Sequence, residues 1–217
     1  MYNAFATTLK VRPAFNINLS SVLFTSAATG GKADAGLGDG LQSAQEPTGT
    51  LKFTVKAESQ TLDVAATEAQ AAQTGSTLTF GYKNATTGTN QFVSCVLLSS
   101  GGEVAYYGKL ADSSSNASGS LNIPLSGVDN GTYTLQIFSE EANGDNYTDF
   151  CSEPVTMTLE VIDGTGTVSG FAGTIDATAP VLSAGSARPH RQRDCRSQLY
   201  KQRGGHVLLA DRRNGSD

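Results

Sequence analysis

The chain has 217 residues, 16% of them charged and 7% aromatic, with 24 Gly, no Trp and a formal net charge of -5. No stretch approaches the roughly 20 apolar residues of a membrane-spanning helix, and the three cysteines form no CxxC or Cys/His cluster of the zinc-binding kind. Gly, Ser, Thr and β-formers dominate, which suits an all-β module rich in turns better than a helical enzyme.

The opening "MYNAFATTLKVRPAF" lacks the basic start, apolar core and cleavage site of a secretory leader, so any signal and anchor are expected outside this piece. Residues 30–49, "GGKADAGLGDGLQSAQEPTG", are Gly/Ala-rich with few large apolar side chains and read as a linker. Eight strand candidates then follow: 50–57, 61–66, 76–82, 91–98, 103–110, 119–125, 131–138 and 155–162. Leu78, Phe80 and Tyr82 share one face at period two, as do Tyr133, Leu135 and Ile137, and Val155, Met157, Leu159 and Val161. Asn-Gly and Gly-Gly turns separate these stretches. The pattern predicts an immunoglobulin-like β-sandwich of about seven or eight antiparallel strands over 50–163. The Ala/Gln-rich patch at 64–75 fits either a short helix or a plain connection. Residues 164–187 read as a second linker and the first strand of a truncated next domain.

The charge is divided. Lys and Arg number 7 against 17 Asp and Glu before Arg188, and 8 against 3 from there on. Both histidines, His190 and His206, lie in that last stretch, so residues 1–187 cannot carry His-based acid–base or triad chemistry. No GxSxG, P-loop or HExxH motif is present. The sequence therefore predicts no catalytic residue, no enzyme activity and no cofactor.

Three site readings remain. Glu141, Asp145 and Asp149, in the acidic stretch "SEEANGDNYTD", supply hard oxygen ligands of the kind calcium takes, but their spacing matches no EF-hand and an acidic hairpin is commonly just solvated. Asn143, Asp145 and Tyr147 in the same loop could present a partner-binding surface. Cys95 and Cys151 could pair as a disulfide in an oxidising compartment, or stay separate as small buried hydrophobes. Tyr106 and Tyr107 fall on opposite faces of one strand, so one is expected in the core and the other exposed.

Three regions carry a family resemblance. "VRPAFNINLSSVLFTSAATGGK" (Val11 to Lys32) resembles the closing segment of an uncharacterised domain in large secreted surface proteins of Gram-positive gut bacteria. "YKNATTGTN" and "GTYTLQIFSEEANGDNYTDFCS" resemble the Ig-like module that follows it there, and "DATAPVLSAGSA" (Asp176 to Ala187) resembles the opening of the next unit. The resemblance makes 1–29 the remnant of an upstream domain. It implies a non-catalytic structural or adhesive module, extracellular or on the cell surface, whose partners are an extracellular protein or glycan and the neighbouring domains. A carbohydrate-binding module, or an accessory domain of an extracellular enzyme, is the alternative; neither nucleic acid nor membrane insertion is expected.

The tail from Arg188 onward departs from that style. Read one base forward with permitted codons, Ser197 to Leu209 decodes as Val-Asn-Phe-Thr-Ser-Asn-Glu-Ala-Gly-Thr-Tyr-Tyr, a strand, a turn and a second strand. Residues 188–217 are accordingly expected to be a frameshifted, disordered tail rather than an anion-binding arm.

Overall fold

The computed structural model describes residues 18–29, 31–32, 35–143 and 148–176. The strands form where apolar and polar residues alternate, and the chain turns where Asn, Asp or Gly accept a positive φ. In chain order they are β1 (Val22–Ala27), β2 (Gln42–Ser43), β3 (Leu51–Lys56), β4 (Asp63–Ala66), β5 (Thr74–Gly75), β6 (Thr77–Lys83) and β7 (Gln91–Leu98). Then come β8 (Val104–Asp112), β9 (Gly119–Pro124), β10 (Gly131–Glu141), β11 (Thr148–Cys151), β12 (Val155–Ile162), β13 (Thr165–Ser169) and β14 (Thr174–Ile175). One helical turn, α1 (Glu68–Ala71), opens with a capping box between Thr67 and Gln70.

The molecule is an all-β sandwich of two sheets, and all eight expected strands are present. β4, β6 and β9, with β14 at the edge, make the smaller sheet. The larger sheet is centred on β10, which pairs with β7 on one side along Thr134 to Glu141. On its other side β10 pairs first with β12 and then with β11. β11 and β12 are thus one strand interrupted at Ser152, Glu153 and Pro154, where the proline cannot donate to a ladder. The sheet forks there: β11 leads on to β3 and β1, β12 to β13 and β5. Most pairings are antiparallel, but β11–β3 and β14–β4 are parallel.

Between the sheets, Leu78, Phe80, Leu121, Ile123, Leu135, Ile137 and Leu159 are fully buried. Each contributes roughly 1.5–3 kcal/mol of burial. The period-two sets read from the sequence are these inward faces.

The sandwich reaches beyond the expected boundaries at 50 and 163. Val22–Ala27 runs antiparallel to β3, and Gln42–Ser43 pairs with β8, so both the expected upstream remnant and the expected linker contribute strands. Leu41 is in the core. Residues after 163 continue directly into a hairpin: Asp163 (φ 49°) and Gly164 (φ 71°) form the turn, and β13 returns along β12 with Val168 buried. Phe171 then stacks on Phe80 at 5.7 Å. Short Gly- and Thr-rich strands look like linker because their apolar residues are few. The expected tail, with Cys195, His190 and His206, lies outside the described residues.

Candidate functional site

The inner face of the large sheet is apolar, whereas its outer face buries charge. Alternation puts Phe138 and Glu140 of β10, and Ser94 and Val96 of β7, on the side away from the smaller sheet. A second, smaller core lies there, built from Phe24, Ala35, Val96, Tyr107, Phe138 and Cys151. Phe24 comes from β1, and Ala35 and Lys32 from the stretch after it. Gly31 permits that approach, since a Cβ there would meet the Ala27 carbonyl oxygen at 2.5 Å.

Lys32 is the centre of the cluster. Its Nζ lies 2.7 Å from Glu140 Oε2 and 2.6 Å from Asp149 Oδ2, with side-chain exposures of 3%, 0% and 0%. It also donates to Thr54 Oγ1 at 3.0 Å and sits 5.3 Å from the Phe24 ring centroid. Glu140 Oε1 accepts from Ser94 Oγ at 2.7 Å and from the Tyr107 hydroxyl. Asp149 Oδ1 accepts from the Asn143 backbone N–H at 2.6 Å and lies 3.1 Å from Lys52 Nζ. Lys52 itself donates to the Asn143 carbonyl at 3.1 Å. Asp149 Oδ2 differs: the Lys32 ammonium is its one partner.

Two lysines and two carboxylates sum to zero charge. Burying them is costly, and only mutual pairing plus further hydrogen bonds offsets the lost hydration. Burial works to lower the Lys32 pKa, but Glu140 and Asp149 outweigh it and hold the ammonium above the usual lysine value. Burial and the neighbouring Glu140 charge push the Tyr107 hydroxyl well above its usual range. Burial likewise raises the Cys95 thiol strongly and the Cys151 thiol to about 12.

Of the residues singled out in the sequence, Asp149 belongs to this cluster, where the Lys32 and Lys52 ammonium groups face its carboxylate. Glu141 is half-buried, with Gln91 Nε2 3.5 Å from its Oε2. Asp145 and Tyr147 lie outside the described residues, and among those described no group of three His, Cys, Asp or Glu is arranged to hold a metal. Asn143 turns its backbone N–H and side-chain amide inward, to Asp149 Oδ1 and the Thr148 carbonyl.

Two expectations are corrected. Cys95 and Cys151 are free thiols, not a disulfide. Cys95 pairs in register with Ile137 and faces the main core; Cys151 pairs with Glu140 and faces the outer one, so the sheet itself separates them. Tyr106 and Tyr107 are both buried, one on each face, because both faces of β8 are covered.

Lys32, Lys52, Thr54 and Ser94 were missed, and Glu140 was read only as part of the acidic stretch at 139–149. The available signal was loss of alternation: "QFVSCVLL" and "LQIFSE" place apolar residues on consecutive positions, as strands covered on both faces do. Beside the cluster runs a groove of about 780 Å³, lined in part by Leu23, Thr25, Lys32, Gln45, Glu103 and Tyr107. No family model, curated protein or solved structure matches the chain.

Proposed function

We propose that this chain is a non-catalytic structural or adhesive Ig-like module of a large bacterial protein that is secreted or held at the cell surface. The observation that supports this reading is the use of the buried charges. Lys32, Glu140, Asp149 and Lys52 neutralise one another and bind the incoming segment to the centre of the large sheet. Such an arrangement holds a fold together rather than presenting groups to a substrate. Antibodies raised against the purified chain should label intact cells of the source organism without permeabilisation. Labelling that requires permeabilised cells overturns the extracellular reading.

The carbohydrate-binding alternative draws on the groove, whose polar residues include Gln42, Gln45, Glu46 and Glu103. It has lost Tyr106 and Tyr107 as exposed rings. A glycan array probed with the wild type and with Glu103→Ala distinguishes it, since this reading requires a signal that falls in the variant.

A further inference from the structure

The geometry points to a covalent amide between Lys32 Nζ and Asp149 Cγ, formed by the protein itself with Glu140 as the proton carrier. An amine and a carboxyl group are held in contact at 2.6 Å, away from water, with a second carboxylate 2.7 Å from the same nitrogen. The contacted oxygen, Oδ2, is buried with no partner besides the Lys32 ammonium, and the carboxyl carbon is one bond beyond it. Oδ1, in contrast, is held by the Asn143 N–H and faces Lys52. The two oxygens of Asp149 are thereby made unequal: one is stabilised to carry negative charge, the other is free to leave. The inference stands on this geometry and does not depend on where the protein resides.

The chemistry balances without an oxidant or cofactor. Glu140 takes a proton from the Lys32 ammonium and passes it to Asp149 Oδ2, leaving a neutral amine against a carboxylic acid. The nitrogen lone pair attacks Cγ, and the negative charge that develops on Oδ1 is met by the Asn143 N–H and the Lys52 ammonium. Glu140 then moves a second proton from nitrogen to Oδ2, the Cγ–Oδ2 bond breaks, and water departs. Of the three ammonium protons, one stays on the amide nitrogen and two leave in that water. One C–N bond has replaced one C–O bond.

In solution, water and hydration of the two ions oppose this condensation. Inside the protein both terms reverse. The ions have already lost their hydration, so converting them to a neutral amide relieves the burial penalty. Fixed proximity also replaces a bimolecular encounter, an advantage that in well-oriented systems corresponds to effective concentrations of about 10⁵–10⁸ M. What remains is one carboxylate, Glu140, and one ammonium, Lys52, still neutral in sum. Lys32, rather than Lys52, is the amine because it touches both carboxylates and packs against the Phe24 and Tyr107 rings.

Intact-mass spectrometry of the purified full chain, denatured and reduced, tests the assignment. The wild type is expected one water lighter than its sequence mass, and its tryptic digest should contain one branched peptide joining Lys32 to Asp149. Lys32→Arg keeps the charge but removes the nucleophile, and Glu140→Gln removes the proton carrier; both should show the full sequence mass. Glu140→Gln keeps the size of its side chain and carries the result if Lys32→Arg does not fold. A wild type at full mass, a branch at Lys52, or a water deficit that persists in Lys32→Arg overturns the proposal.

Discussion

Lys32 carries more consequence than any other single side chain described. Its removal leaves two buried carboxylates short of a partner, which for a buried pair costs roughly 3–5 kcal/mol. Lys32→Met should lower the unfolding free energy by that order in a denaturant titration. The thiols give a second residue-scale prediction. Cys95 and Cys151 should resist alkylation in the native protein and react fully in denaturant, with no mass change on reduction. Their pKa shifts also set a pH dependence. The Cys151 thiol ionises near 9 in the unfolded chain and near 12 when folded, so between those values the folded state holds the extra proton. Stability therefore falls as pH rises through that window, and Cys95 adds to the fall with the same sign. Unfolding free energies measured at pH 8 and pH 11 check this. Cys151→Ala should narrow the difference between them.

At the scale of the element, the long amphipathic strands were legible because one face of each meets the main core and the other meets water. β6, β9 and β12 follow that rule closely. β7 and the end of β10 do not, since the outer core covers them as well; their runs of consecutive apolar residues said so. β13 was hidden by its composition, although the Asp163-Gly164 pair before it is the turn chemistry of a two-residue hairpin. Lys32 was hidden by its surroundings: "TGGK" resembles linker, and the carboxylates it meets are distant in sequence. Such a contact is a product of topology. The seating of the N-terminal segment on β8 can be tested at Gly108, where a Cβ would lie 2.9 Å from the Gly40 carbonyl oxygen and 3.1 Å from Leu41. Gly108→Ala should destabilise by roughly 1–3 kcal/mol, as overpacked sites do. Thermal unfolding measures it.

For the whole molecule, the relevant unit is longer than the run of obvious strands. A chain limited to 50–163 lacks Phe24, Lys32, Leu41, Val168 and Phe171, all of which pack on the remainder. It should unfold at lower temperature and less cooperatively than a chain covering 18–176, as followed by circular dichroism. Limited proteolysis of the full protein should spare the segments around Lys32 and Val168, which a linker would not survive.

The contact between Lys32 and Asp149 has a further consequence when the chain is pulled. With the two residues joined, tension entering from the N-terminal side passes at Lys32 straight into β11, and everything between them is bypassed. Roughly 400 Å of extended chain is then withheld from stretching. In a single-molecule pulling trace, Glu140→Gln should release that length and the wild type should not. The sandwich would serve less as a spring than as a fixed link.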